Sequence, residues 1–102
     1  MPERIKDDAW IYTVVKNPGS GEQFLGQHEP EADISFIPIF LEKEHAVQSL
    51  FQFKVDKGTR CEVQAVIYGD IVQAAGENGF LLYLLDESGN VLDKIAPAIQ
   101  KQ

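Results

Sequence analysis

Hydrophobic residues between positions 34 and 95 fall into three strand-like runs, separated by two short amphipathic stretches. The runs cover residues 34–41, 61–67 and 80–85. Strands that alternate with helical stretches are typical of one sheet whose parallel strands are connected by helices packed on it. The pattern therefore predicts that over half of the chain forms a single folding unit.

Another strand is indicated near the amino terminus, at residues 9–15, which are rich in β-branched and aromatic side chains. Residues 16–21 contain Pro18 and two glycines. This composition favours a turn, so we expect the chain to return through residues 22–26 as a hairpin. The acidic segment 27–33 has no periodicity and is predicted to be a solvated loop.

Pro38 lies in the middle of the strand predicted at residues 34–41. Proline has no N–H to donate to a neighbouring strand. We therefore expect this strand to lie at an edge of the sheet, to contain a bulge, or to be short.

Two short helices are predicted between the strands. The first should begin at residues 42–45, and the second should begin at Gly69 and Asp70 and end at Gly76 or Gly79. Each helix has an apolar stripe that should face the sheet. The stripes consist of Ala46, Val47, Leu50 and Phe51 in the first helix, and of Ile71, Val72, Ala74 and Ala75 in the second.

The run at residues 80–85 is apolar on both faces. Such a run is expected of an interior strand that is covered on each side, either by helices alone or by helices and a partner. Residues 86–90 predict a hairpin loop, and a last strand should follow with Val91, Leu92 and Ile95.

Together these elements predict an α+β fold. We expect a single mixed β-sheet of about five to six strands, with two short helices packed on one face. Residues 1–102 should form a single small globular domain, in which residues 1–8 and 96–102 are frayed.

The net charge of -7 changes the choice of partner. An acidic chain repels phosphate backbones and anionic lipid, so we expect a protein partner or a second copy, with no nucleic acid and no membrane. The lone Cys61 can form neither an internal disulfide nor a cysteine-based metal cage, which favours a reducing compartment. The acidity itself is typical of solubility in a bacterial-type cytoplasm, so we expect a cytoplasmic protein. No signal peptide is recognisable at the amino terminus.

The segment around Pro38 resembles a known family. Residues 37–40 (Ile-Pro-Ile-Phe), followed by an acidic helix start, are similar to a segment of the SseB amino-terminal-domain family. Residues 69–72, running into residues 79–82, are similar to the second helix of that family and the aliphatic strand after it. The resemblance covers residues 34–92 and implies a small bacterial mixed-sheet domain without established catalytic residues.

No polar cluster in the sequence predicts catalysis, a metal or a cofactor. His28 is followed by acidic residues, but the spacing lacks the regular aspartates of a calcium loop. His45 and Glu42 are three residues apart, which favours an exposed ion pair over general-base chemistry. The glycines at 19 and 21 precede no lysine and no helix start, as a phosphate loop would require. The sequence leaves enzymatic activity open and favours its absence.

Two functional classes remain. The leading hypothesis is a non-catalytic protein-interaction or regulatory module, with self-association as one form of it, because the aromatic residues exceed what one sheet face covers. The alternative is a small-ligand-binding or enzymatic domain, with a pocket near Cys61, Tyr68 and Asp70 at the carboxyl end of a parallel strand. Asp70 would be its polar anchor, unless it caps the second helix. The expected interface residues are Trp10, Tyr12, Phe36 and Tyr83.

Overall fold

The computed structural model describes residues 5–19 and 21–97. Its strands form one mixed sheet with helices packed on it, so the predicted α+β class is confirmed. The elements are β1 (Trp10–Lys16), β2 (Gln23–Phe24), β3 (Gln27–Glu29), β4 (Ile34–Phe40), α1 (Lys43–Ser49), a 3-10 turn (Leu50–Gln52), β5 (Cys61–Ile67), α2 (Tyr68–Asn78), β6 (Leu81–Leu85) and β7 (Val91–Ile95).

Within the described residues the sheet contains seven strands, more than the five to six expected. Part of the difference comes from residues 27–33, which were predicted to be a loop. Gln27–Glu29 forms β3, which pairs with the first residues of β4, and only the remainder of the segment is a turn. Its polar sequence carries no strand periodicity because β3 is only three residues long.

The main strands are ordered β5, β1, β4, β6 and β7. β1 is antiparallel to both β5 and β4, and β4 is parallel to β6, so β4, β5 and β6 run in the same direction. The connection from β4 to β5 crosses over β1 toward one edge of the sheet. The connection from β5 to β6 crosses back over β1 and β4 in the opposite direction. Because crossovers between parallel strands are right-handed, helices on connections of opposite direction lie on opposite faces.

Each face of the sheet accordingly has its own core. On the α2 face, Ile71 and Ala75 of α2 pack on Ile37 and Leu82, together with other aliphatic side chains. On the α1 face, Ala46 of α1 packs in a cluster with Phe40, Tyr83 and Leu85. The prediction that both helices pack on one face is therefore wrong. The prediction that β6 is an interior strand covered on each side is confirmed, because its alternate residues belong to the two cores.

Pro38 lies where β1 and β4 diverge. Beyond this point β2 pairs with β1 and β3 pairs with β4. The chain that connects β2 to β3 bends at Leu25 and Gly26 and occupies the gap, here called the fork, between β1 and β4. Thr13 Oγ1 donates a hydrogen bond of 2.8 Å to the carbonyl of Pro38. The N–H and C=O of one residue in a strand point to the same edge, so the missing N–H of Pro38 faces this fork and not β6. The expected edge position is wrong, because β4 is interior and its pairing is interrupted on one side only.

The apolar stripe predicted to face the sheet is buried to a different extent in the two helices. In α2, Ile71 and Ala75 are fully buried, and the helix ends at Gly79 in the left-handed conformation, as expected. In α1, Ala46 is buried but Phe51 is 94% exposed. The hydroxyl of Ser49 donates to the carbonyls of residues 86 and 87, and a 3-10 turn then changes the helical phase. This arrangement directs Phe51 away from the sheet.

The remaining predictions concern the turns and the chain ends. Both predicted hairpins are confirmed, through the pairing of β1 with β2 and of β6 with β7. Residues 1–4 and 98–102, which belong to the segments predicted to be frayed, lie outside the described residues. Within the described chain, Ile5 packs against the core of the α2 face, and the carbonyl of Asp7 accepts a hydrogen bond from Gly69 N–H at 2.8 Å.

Candidate functional site

A cavity of about 580 Å³ opens on the α2 face, at the end of the sheet where the interior strands β4 and β6 begin. Its apolar floor consists of Phe24, Ile37 and Phe80. The bent segment between β2 and β3 forms one wall, and the last turns of α2 form another. This volume lies within the range of small-molecule sites, which are usually apolar clefts with a few polar groups.

Gly26 makes the bend compatible with this floor. A Cβ atom added at Gly26 would lie 2.8 Å from Cε1 of the Phe80 ring, which is closer than real Cβ atoms approach other heavy atoms. Glycine thus allows the ring to lie against the backbone of the bend. The sequence gives no direct signal of this contact, because residues 26 and 80 are far apart in the chain.

The polar lining of the cavity contains one lysine, Lys16. Lys16 is half-buried, and none of the described acidic side chains forms an ion pair with it. His28 also lines the cavity, and its Nε2 lies 3.0 Å from Oδ1 of the exposed Asp33. The Asn78 amide donates to the carbonyl of Ala74, which leaves its own oxygen available as an acceptor. The cavity therefore combines an apolar floor with one cationic side chain.

The residues predicted to form a pocket are divided between two ends of β5. Cys61 lies at the start of β5, opposite Lys16 of β1, and Tyr68 follows its last residue. None of Cys61, Tyr68 and Asp70 lines the cavity described above. The structure thus separates the three residues that the alternative hypothesis placed together.

Asp70 does not act as the cap of α2. The N-cap position is Ile67, and it has no side-chain cap hydrogen bond. Asp70 is exposed in the first helical turn, where a carboxylate interacts favourably with the positive end of the helix dipole. Tyr68 packs against the core of the α2 face, and its N–H donates to the carbonyl of Ala9 at 2.8 Å.

Three of the four predicted interface residues belong to the core of the α1 face. Tyr83 is only 2% exposed, and the Phe36 ring stacks on it with a centroid distance of 4.1 Å. Tyr12 packs against the same core and is half-buried. Trp10, by contrast, is 61% exposed. Trp10 is therefore the one member of this set that is exposed.

A partly buried hydrogen bond fixes Tyr83. Its hydroxyl donates to Oε1 of Glu29 at 2.6 Å, and Lys94 Nζ lies 3.9 Å from the same carboxylate oxygen and 5.1 Å from the ring centroid. Burial, then the hydrogen bond and the negative charge of Glu29, raise the pKa of Tyr83 to about 12. A phenol of such high pKa keeps its proton at neutral pH, so this cluster is suited to stabilising the fold and not to general-base chemistry.

Several large apolar side chains other than Trp10 lie at the surface. Val47 and Phe51 are four residues apart on α1 and the turn that follows it, and Leu41 lies two residues before the start of α1. The exposed fractions are 50% for Leu41, 44% for Val47 and 94% for Phe51. We call Leu41, Val47 and Phe51 the outer α1 surface.

The described residues contain no group of three or more His, Cys, Asp and Glu side chains arranged to hold a metal ion. Within residues 5–19 and 21–97, no helix has both the length and the apolar composition needed to cross a membrane. No protein-family model, no curated protein and no solved structure matches this chain.

Proposed function

We propose that this protein is a non-catalytic protein-interaction module that associates with itself or with another protein. The observation that supports this proposal is the outer α1 surface, where Phe51 is 94% exposed and two other large apolar side chains are exposed as well. Exposing such side chains to water is unfavourable, and apolar surface that a fold leaves open often marks an interaction site. The raised pKa and full burial of Tyr83 give that cluster a structural role instead.

The proposal is tested with the complete chain and a double variant, Val47→Ser with Phe51→Ser. Sedimentation velocity over a range of concentrations measures self-association, and pull-down from the host measures binding of other proteins. We expect the double variant to lose an association that the wild type shows. Leu92→Ser is the matched control, since Leu92 is 53% exposed on β7, outside the outer α1 surface, and should leave that association unchanged.

One outcome would contradict the proposal, namely a wild-type chain that stays monomeric and retains no partner protein. An association that the double variant and the wild type form equally well, provided that circular dichroism shows both chains to be folded, would contradict the role of the outer α1 surface and place the contact elsewhere on the chain. The resemblance to the SseB amino-terminal-domain family stays a prediction, and it is compatible with a module of this kind.

A small-ligand-binding function is the second candidate, and the cavity whose floor includes Phe80 favours it. Because Lys16 is the only permanently charged residue in the lining, the cavity would suit a molecule with an apolar body and one anionic group. Naphthoic acid is a suitable probe, and its uncharged amide is the matched control. We expect the acid to change the chemical shifts of cavity residues. Lys16→Gln should raise the dissociation constant of the acid about tenfold, a loss of affinity typical of a charged hydrogen bond. Equal binding of acid and amide would argue against a cationic site.

A further inference from the structure

β5 forms one edge of the sheet and has an open outer side. Within residues 5–19 and 21–97, it pairs with β1 alone, through consecutive residue pairs from Cys61 to Ile67 without a bulge. None of its residues is fully buried. A long, regular and accessible edge of this kind is a template for pairing with another strand.

The hydrogen bonds at both ends of the β1–β5 ladder show which residues of β5 face outward. The Asn17 N–H donates to the carbonyl of Arg60, and the Tyr68 N–H donates to the carbonyl of Ala9. Bonded and non-bonded pairs alternate along an antiparallel ladder. The residues of β5 that bond β1 between these two ends are therefore Glu62, Gln64 and Val66, and the backbone N–H and C=O groups that point outward are those of Cys61, Val63, Ala65 and Ile67.

The opposite edge of the sheet, β7, carries features that discourage pairing. Asp93 and Lys94 are adjacent charges within it, a register shift occurs where it pairs with β6, and Pro97 follows it closely. Charges, bulges and prolines are the usual protection of edge strands. β5 has no proline, no lysine and no bulge, and Glu62 is its single charged residue. Of the two edges, β5 is thus the one suited to pairing.

We propose that β5 pairs antiparallel with β5 of a second copy, about a two-fold axis at Gln64; this inference rests on the proposed function in that the chain self-associates, and it places that contact at β5, separate from the outer α1 surface. In this register Cys61 lies opposite Ile67 of the second copy, and Val63 lies opposite Ala65. These are the residues whose backbone groups point outward in both copies, so each pair can exchange its N–H and C=O groups. The strand is therefore complementary to itself.

The charges on β5 are compatible with this pairing. Glu62 lies opposite Val66 of the second copy, so the only charge of the strand does not face its own equivalent. Gln64 lies opposite Gln64 as a non-hydrogen-bonded pair, in which side chains approach most closely. Their neutral amides can interact across the axis, while Gln64 Nε2 also donates to Oε1 of Glu62 in its own chain at 3.0 Å.

Amide hydrogen exchange of the wild-type chain tests the pairing residue by residue. In the monomer, the amides of residues 62, 64 and 66 are protected by β1, and those of residues 61, 63, 65 and 67 are open to water. We expect exchange of this second set to slow as the protein concentration rises, while the first set is protected throughout. Rapid exchange of the second set at a concentration where the chain is dimeric would overturn the inference.

A charge exchange at Gln64 tests the position of the axis. Like charges directly opposite each other destabilise a strand pair, so Gln64→Lys and Gln64→Glu should each raise the dimer dissociation constant by about fivefold. An equimolar mixture of the two variants should restore wild-type affinity, because Lys then faces Glu. Leu92→Lys, on the other edge, is the control and should leave the dissociation constant unchanged. Circular dichroism of each variant confirms that it is folded.

The outcomes separate this inference from the proposed function. A wild-type chain that stays monomeric overturns pairing through β5, and so does a dimer that both Gln64 variants leave unchanged or that the mixture fails to restore. If a dimer forms but does not respond to the Gln64 variants as expected, the proposed function stands, because the chain then associates through another surface. The proposed function itself fails only if the chain neither self-associates nor retains another protein.

Discussion

Tyr83 shows how tertiary contacts determine the chemistry of a single residue. Its neighbours in the sequence are leucines, and nothing in the run at residues 80–85 indicates a carboxylate partner. The partner, Glu29, belongs to β3. Both β3 and β6 pair with β4, one on each side, and this pairing brings Glu29 within reach of the Tyr83 hydroxyl across β4. The prediction that Tyr83 belongs to an interface depended on its aromatic character alone and could not include this burial.

We expect Tyr83 to titrate above the ordinary range of a tyrosine. Its pKa is raised from 10.0 to about 12, so the folded state holds the phenolic proton more tightly than the unfolded state does. Its contribution to stability is therefore complete below pH 10 and declines as the pH rises toward about 12. Absorbance of tyrosinate during an alkaline titration measures this, and the late step should be absent in Tyr83→Phe. A late step that persists in this variant would assign it to another tyrosine.

Leu82 tests the core of the α2 face. Its side chain is fully buried between β4 and α2, so Leu82→Ala should lower the free energy of unfolding by about 2–5 kcal/mol. The control is Leu92→Ala on β7, where Leu92 is 53% exposed and the change should stay within about 0.5 kcal/mol. Urea denaturation followed by circular dichroism measures both. Similar losses in the two variants would contradict the placement of Leu82 in the core.

At the scale of elements, the strands and turns were predicted correctly from the sequence, but the buried face of α1 was not. The run at residues 61–67 predicts β5 at its observed bounds, and Gly79 ends α2 as expected. The stripe of α1 failed at Val47 and Phe51, since a helix of seven residues has too few turns for its own pattern to fix its orientation. Contacts of Ser49 with the hairpin at residues 86–90 orient it instead.

That hairpin should respond to acid. Asp86 Oδ1 accepts hydrogen bonds from the backbone N–H groups of Ser88 and Asn90, and Oδ2 accepts one from the Asn90 amide. These bonds, that of the Asn90 backbone first, lower the pKa of Asp86 below its ordinary value of 3.8, so their stabilising effect is present above that value and is lost as the pH falls through the lowered pKa.

Melting temperature as a function of pH measures the effect of Asp86. Asp86→Ala should lower the melting temperature at neutral pH and make its decline in acid less steep. Asn90→Ala removes the side-chain bond but keeps the backbone bond, so it should have the smaller effect. Identical acid profiles for the wild type and Asp86→Ala would contradict this role of the carboxylate.

At the scale of the whole molecule, topology and net charge have separate consequences. The two crossovers of opposite direction place one helix on each face, and they leave β5 and β7 as the edges of the sheet. The charge of -7 is carried by both copies in any self-association. Two acidic copies repel each other, and this repulsion opposes pairing through β5.

Self-association should therefore tighten with ionic strength. Salt screens repulsion between surface charges over about 10 Å at 0.1 M, so raising the ionic strength from low to physiological values should lower the dimer dissociation constant. Sedimentation equilibrium at several salt concentrations measures this change. A dimer that weakens with salt would indicate that attraction between opposite charges, and not backbone pairing between acidic copies, holds it together.

The sequence by itself determined the class of fold, the bounds of β5, the two hairpins and the end of α2, because these depend on local alternation and on glycine and proline at particular positions. Only the tertiary structure decided which face each helix covers, that Pro38 lies at a fork within an interior strand, and that the cavity is lined by Lys16 and His28 far from Asp70. Those features depend on which distant segments become neighbours, and a local pattern of hydrophobic residues contains no information on the partner of each strand.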